Sequence, residues 1–254
     1  MIAVEGLTHR RGGTPALDRV TARLPRGGIT ALIGPNGAGK STLLHLVARL
    51  LPLEAGRVRV DGLDVAATRT EELALRLAIL TQGAGVPSRL RVRDLVAFGR
   101  WPHHRGRPGP GDRAAVDEAL ERFELGPLAH RWTDELSGGQ AQRAHVAMAY
   151  AQGTPWLLLD EPLSNLDPRH ARALMERLHG LSRDGSGRSV VLVLHDVNHA
   201  SAWADHVLAL KGGRVHSEGP PAAVLTGPNL SDLYDTPVAV VERGGRRLVD
   251  HHGA

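Results

Sequence analysis

The sequence predicts an α/β fold, a parallel sheet covered by helices on both faces with a helical segment inserted into it. Three observations predict it. Continuous apolar runs at Trp156–Asp160, Ser189–Leu194 and His206–Leu210 alternate with helical periodicity at Pro168–Leu181. Strands buried on both faces need such runs, and the helices between them supply the cover. A strand pattern at Ile29–Ile33 also passes through a glycine-rich loop into a helical stretch, Lys40–Leu51. Finally, strand signals vanish between about Gly83 and Leu136, which reads as a helical subdomain inserted in the core.

In order along the chain, Ile2–Leu7, Leu17–Leu24, Ile29–Ile33 and Arg57–Val60 read as strands, the last followed by an Asp61-Gly62 turn. Pro52 is expected to stop the helix at Leu51. Ala78–Thr81 is a further strand, ending at Gln82. After the Pro/Gly/Arg loop Arg105–Gly111, Asp112 is expected to cap a helix. Its apolar Val116, Ala119, Leu120 and Phe123 recur at helical spacing. Gln140–Gln152 is expected to be helical and is stopped by Gly153-Thr154-Pro155. Pro168–Leu181 gathers Ala171, Leu174, Leu178 and Leu181 on one face. Gly212-Gly213 and Gly244-Gly245 each read as a hairpin turn.

Composition narrows the function classes. The chain has 254 residues, 42% of them hydrophobic, enough for one large domain or two small ones. It has no cysteine, which removes disulfide scaffolds, thiol catalysis, iron–sulfur clusters and Cys-based zinc sites. No apolar run approaches the roughly 20 residues that span a bilayer. Glu5 and Gly6 stand where a secretory signal needs apolar residues, so a cytosolic location is expected. The net charge is only +4 and aromatics are 3%; with basic residues scattered, no nucleic-acid partner is expected. The adjacent pairs His103-His104 and His251-His252 cannot share a helix or strand face, and they read as surface residues rather than a metal site. The only lysines are Lys40 and Lys211 among 31 basic residues, so the lysine at position 40 stands out.

Position 40 lies in Gly34-Pro35-Asn36-Gly37-Ala38-Gly39-Lys40-Ser41-Thr42, which fits the phosphate-loop pattern in its proper strand–loop–helix setting. Glycines let successive N–H groups point at phosphate oxygens, and the positive end of the following helix adds to the field. Lys40 reaches the β- and γ-phosphates. The Ser41 hydroxyl suits Mg²⁺. The loop by itself indicates a nucleoside triphosphate; kinases, GTPases and many ATPases share it.

Trp156–Asp160 is an apolar strand ending in two carboxylates. Asp160 suits the Mg²⁺ shell, and Glu161 could polarise a water for attack on the γ-phosphate. Solvated carboxylates at a loop start are the plain alternative. His195 directly follows another buried strand and can donate to a γ-phosphate oxygen or hold the attacking water. Gln82 also follows a strand, and its amide can join the Mg²⁺ or water shell.

Leu136-Ser137-Gly138-Gly139-Gln140 introduces a second helix suited to an anion, with no lysine or acid of its own. Two phosphate-binding helix ends with one metal set invite a dimer. In motif order this chain closely resembles the ATP-binding-cassette (ABC) ATPases: phosphate loop, Gln82, helical insertion, LSGGQ, Asp160-Glu161, Ser164-Asn165-Leu166-Asp167, then His195. The resemblance covers almost the whole chain.

It implies an α/β ABC ATPase core with a parallel sheet, an antiparallel β subdomain and an inserted helical subdomain. Residues 1–82 and 144–254 would form the α/β core, and 83–143 the helical subdomain carrying the signature. It further implies a head-to-tail homodimer holding two ATP molecules with Mg²⁺. Ser137, Gly138, Gly139 and Gln140 would then face the partner's γ-phosphate, and Asp167 would lie at the dimer interface. Glu161 would be the catalytic base and His195 the switch residue; Ser41, Gln82 and Asp160 would ligate the metal. The family's adenine-stacking aromatic is replaced here by Arg11, with His9 nearby; a guanidinium can also stack on a base, and a solvated surface side chain is the equal alternative for either residue.

With no fused membrane span and no coiled-coil arms, the resemblance points to a detached transporter subunit. Such a subunit lies peripherally on the cytoplasmic face of the membrane and docks on separate permease subunits. An extracytoplasmic substrate-binding protein would serve it indirectly. Gln82 and the loop Gly83–Arg91 would push on the permease. Phe98-Gly99-Arg100-Trp101-Pro102-His103, Ala149-Tyr150-Ala151-Gln152 and Leu194-His195-Asp196-Val197-Asn198 resemble ferric-siderophore importer ATPases. Haem, cobalamin and zinc or manganese importers have similar subunits, and an ATP-dependent regulator is the reading from another class.

Overall fold

A computed structural model of the chain describes residues 1–83, 89–164, 166–243 and 246–250. Strands β1 (Ile2–Arg11), β2 (Thr14–Leu24) and β3 (Gly28–Ile33) lead into α1 (Lys40–Val47). Then come β4 (Ala55–Val60), β5 (Leu63–Asp64), α2 (Thr70–Ala74) and β6 (Leu77–Leu80). Helices α3 (Val92–Phe98), α4 (Trp101–His104), α5 (Pro110–Arg122) and α6 (Gly138–Ala151) precede β7 (Trp156–Asp160), α7 (Pro168–Leu181) and β8 (Ser189–Val193). The chain closes with α8 (Val197–Trp203), β9 (His206–Lys211), β10 (Arg214–Gly219), α9 (Pro221–Val224), α10 (Gly227–Tyr234), β11 (Ala239–Arg243) and β12 (Arg246–Asp250). It divides into two compact units, Met1–Thr68 with Ser189–Ala254, and Arg69–Arg188.

In the first unit, β3 is flanked by β8 and β9, both parallel to it, in register from Gly28↔Ser189 to Leu32↔Val193 and from Thr30↔His206 to Ile33↔Ala209. These are the continuous apolar runs, and their Ile, Leu and Val side chains are buried. The Gly212-Gly213 turn folds β10 back antiparallel on β9, as its sequence predicts. A separate antiparallel sheet has the order β2-β1-β4-β5. Asp61 and Gly62 join β4 to β5 with φ of 48° and 86°, the pair of positive values that a tight two-residue hairpin turn requires.

In the second unit, β6 and β7 pair in parallel from Leu77↔Trp156 to Leu80↔Leu159. Their carboxyl ends, Thr81-Gln82 and Asp160-Glu161, therefore emerge at one edge. Between Gln82 and Leu136 the described residues form helices and no strand, only an isolated Arg91–Trp132 bridge. Helix α5 buries Val116, Ala119 and Leu120, with Phe123 at its C-cap. It ends in a Schellman turn: the Leu125 N–H donates to the Leu120 carbonyl at 2.7 Å, and the Glu124 N–H to Glu121 at 2.9 Å.

Several boundaries differ from expectation. Helix α1 ends at Val47 rather than Leu51, because Arg49 turns left-handed (φ 56°) and its guanidinium donates to the Val65 and Thr68 carbonyls at 2.9 and 2.5 Å. Asp112 is not the N-cap of α5. Gly109 is, and the Asp112 carboxylate, three residues on, accepts the Gly109 N–H at 2.9 Å. Helix α6 starts two residues before Gln140, because Ser137 is its cap. The short helices α2–α4 and α8–α10 had no distinct sequence pattern. The turn Gly244-Gly245 and the pair His251-His252 lie outside the described residues, although β11 and β12 pair from Arg243↔Arg246 onward.

Candidate functional site

The phosphate loop is built by the end of β3. Gly34 has φ of 138°, and a Cβ there would sit 2.0 Å from the Leu210 carbonyl oxygen. Only glycine lets β3 leave the sheet against β9. Gly39 caps α1 in a left-handed conformation (φ 99°), where a Cβ would strike the Ala16 carbonyl and the Leu17 side chain at 2.6 Å. It brings no side chain of its own to the helix start. Lys40 is buried, and its ammonium donates to the carbonyls of Gly34 at 2.7 Å and Pro35 at 2.9 Å. The lysine thus threads back through the loop it follows and holds it curled. Pro35, Asn36 and Gly37 are partly or fully exposed, Ala38 is buried, and Ser41 and Thr42 occupy the first turn of α1 half-buried.

Parallel pairing of β3 and β8 places His195 at the same strand edge as this loop; the Leu194 N–H donates to the Leu32 carbonyl at 3.0 Å. His195 is exposed, and next to it Asp196 caps α8 by accepting the Asn198 N–H at 2.8 Å. Arg11 lies exposed at the tip of the β1–β2 hairpin, paired with Thr14. His9 is buried, with Nδ1 3.1 Å from Glu54 Oε1. That removes His9 both as a solvated surface residue and as a stacking platform.

In the second unit, β7 delivers Asp160 buried, 2% exposed, and Glu161 immediately beyond it. Glu161 has a left-handed backbone (φ 51°), a conformation costing a non-glycine residue about 1–3 kcal/mol and common where function fixes the geometry. The Gln82 amide donates to Glu161 Oε2 at 2.6 Å, and the Ser164 hydroxyl to the same oxygen at 3.2 Å. Gln82, Asp160, Glu161, Gly138 and His145 line one cavity of about 580 Å³. No sequence motif marks His145; burial holds its imidazole below the usual histidine range, with a hydrogen bond to the Ala141 backbone acting the other way.

Ser137 caps α6 reciprocally: its hydroxyl accepts the Gln140 N–H at 3.3 Å, and its own N–H donates to Gln140 Oε1 at 3.0 Å. Gln140 is therefore committed to the cap. Gly139 faces Leu166 and His170 with room to spare: a Cβ there would make ordinary contact, 3.5 Å from each. Asp167 caps α7, accepting the His170 N–H at 2.8 Å and meeting His170 Nδ1 at 2.8 Å. The backbone bond first, then the imidazole, holds its carboxyl below the usual range. Asn165 and residues 84–88 of the loop after Gln82 lie outside the described residues.

A lysine-bearing phosphate loop after a central parallel strand, and a capped glycine helix beside a strand-end carboxylate pair, define an ATP-binding cassette. The chain belongs to the ABC transporter family, whose model matches residues 17–164. It is an ATP-binding subunit, and the activity of its family is ATP hydrolysis coupled to transport. Its relatives include the petrobactin import ATP-binding protein YclP of Bacillus subtilis, 38% identical over 248 residues that cover 98% of each chain. The hemin import ATP-binding protein HmuV of Streptomyces coelicolor is 42% identical over 254 residues, 99% of this chain and 90% of that one. Among solved structures, the dimeric ATP-binding cassette MJ0796, in a post-hydrolysis state bound to ADP and Pi, matches with a TM-score of 0.76. It is 27% identical, and the match covers 87% of this chain and 98% of that one.

Proposed function

We propose that this chain hydrolyses ATP to power uptake of a ferric siderophore through a separate membrane permease. The observation that carries the ATPase assignment is the Glu161 carboxylate, held at the end of a buried strand by Gln82 and Ser164. In this reading the Gly34–Thr42 loop binds the phosphates, with Lys40 exchanging a loop carbonyl for a phosphate oxygen. Glu161 takes the proton of the attacking water, and His195 holds that water or the γ-phosphate. Arg11 stacks on the adenine.

Mg²⁺ demands hard oxygen donors. The Ser41 hydroxyl, the Asp160 carboxylate and Oε1 of Gln82, whose amide nitrogen is engaged by Glu161, meet that demand. When bound, the ion neutralises charge building on the β- and γ-phosphates. Two copies pair head to tail; that the related cassette MJ0796 is dimeric supports the pairing. The Ser137 hydroxyl accepts from its own helix and keeps its O–H to donate to the partner's γ-phosphate. The N–H groups of Gly138 and Gly139 add the helix field, Gln140 holds Ser137 in place, and Asp167 stands at the interface. Residues 83–143 act as the helical subdomain that carries Ser137 and docks on the permease at the cytoplasmic membrane face. An extracytoplasmic binding protein feeds the permease from the other side. Among the described residues no helix is long and apolar enough to cross a membrane, which suits a peripheral subunit.

Siderophore cargo is supported by the petrobactin relative and by the Phe98–His103 segment; the hemin relative favours haem as the second reading. The test is to co-purify the chain with its membrane partners, reconstitute them in vesicles, and supply ferric siderophore or haem with the binding protein. Siderophore-stimulated ATPase and iron uptake support the assignment. Stimulation by haem alone reassigns the cargo, and no membrane partner at all refutes transport.

A further inference from the structure

Glu124 stands where the Schellman turn of α5 needs a left-handed backbone, and it has φ of 52°. Glycine is favoured there because it has no Cβ to crowd the neighbouring carbonyl. This chain instead places a long acidic side chain at the position. Its carboxylate lies between guanidiniums from two helices: Arg143 Nη1 of α6 donates to Oε2 at 3.4 Å, and Arg177 Nη2 of α7 pairs closely with Oε1. The two arginines are 15% and 18% exposed. Burial first, and then the Arg177 charge, hold Arg143 below the usual arginine range, so the two guanidiniums oppose each other. Arg177 is also pinned by donating to the Arg122 carbonyl at 3.1 Å and the Ala173 carbonyl at 3.2 Å.

Helices α6 and α7 are the two whose first turns are capped by Ser137 and Asp167. At that end Gly139 of α6 faces His170 of α7 without close contact, since a Cβ would fit there 3.5 Å away. The Glu124 carboxylate ties them further along.

We propose that Glu124 is a positioning residue that locks α6 to α7, so that Ser137 and Asp167 advance as one edge toward the nucleotide on a second copy of this chain. The proposal rests on the head-to-tail reading above and adds a residue to it. The Glu124 side chain is itself 67% exposed, so its loss removes the shared partner of two half-buried guanidiniums and loosens the tie between the helices without unfolding them.

Glu124→Gly separates this role from simple folding, because it removes the carboxylate while giving the turn the residue it favours. Glu124→Gln keeps the shape and removes the charge. Both are made in the full chain, and thermal unfolding checks the fold. ATPase kcat and KM are measured, and light scattering follows ATP-driven dimerisation in a Glu161→Gln background. We expect a folded chain with unchanged nucleotide Kd as a monomer, kcat down about tenfold at near-normal KM, and dimerisation needing about tenfold more ATP. Glu124→Asp should recover part of the loss. Normal kcat and dimerisation in both variants overturn the lock and leave the two-copy reading standing. If the Glu161→Gln chain with Glu124 intact stays monomeric in ATP, the two-copy reading falls and the lock falls with it.

Discussion

The Gln82 amide donates to Oε2 of Glu161 at 2.6 Å, and Ser164 donates to the same oxygen. The carboxylate assigned to catalysis is thus oriented by a residue 79 positions away in sequence. Gln82→Ala should lower kcat about tenfold with a smaller loss of Mg²⁺–nucleotide affinity, because Glu161 loses its shorter hold and the proposed metal site loses one oxygen. Steady-state ATPase assays alongside calorimetric binding check this. Unchanged kcat would make the contact incidental.

Glu161→Gln should retain ATP affinity and nearly abolish turnover, a loss of about 100-fold or more, since an amide cannot accept the proton of the attacking water. The carboxamide still accepts from Gln82 and Ser164, so local geometry is preserved. Single-turnover hydrolysis at wild-type rate would remove Glu161 from its assigned role.

Gly34→Ala tests the loop's construction. The new methyl would lie 2.0 Å from the Leu210 carbonyl, so backbone must move. A loss on the order of 3 kcal/mol is expected, together with loss of ATP binding. Urea unfolding reads the first effect and calorimetry the second; a variant as stable as its parent contradicts the close approach of β3 and β9.

His145 gives a pH dependence with a definite sign. Burial depresses its basicity in the folded chain, so the unfolded chain takes up a proton at higher pH. Its contribution to stability is complete above about pH 6.5, the ordinary histidine value, and is lost as pH falls through the lower folded value. The drop in Tm between pH 7.5 and 5.5 should shrink in His145→Leu. An equal drop in both proteins would show that other groups carry the acid sensitivity.

How much of this was legible in the sequence depended on range. Trp156–Asp160 and Pro168–Leu181 have the bounds their patterns predict, because apolar runs and helical periodicity are local signals. Helix α1 is shorter than its pattern predicts, because its end is set by Arg49 reaching Val65 and Thr68, a contact with no local signature. Asp112 stands three residues inside the cap its pattern predicts, since a glycine cap leaves the following acid to supply the hydrogen bond. In the site, the motif residues were readable as types in order. The left-handed turn at Glu161, the hold of Gln82 upon it, the burial of His9 and the clamp at Glu124 arise only when distant segments meet. Nothing in a run of letters marks a glutamate that occupies a glycine's conformation.

The ammonium of Lys40, fastened to the Gly34 and Pro35 carbonyls, has one further consequence. A triphosphate entering this loop meets a cation that already has oxygen neighbours, so docking is a substitution of one ligand for another. Anions too weak to displace a peptide oxygen gain little there. At the proposed phosphate site, discrimination among anions would thus begin with an exchange of ligands at one ammonium.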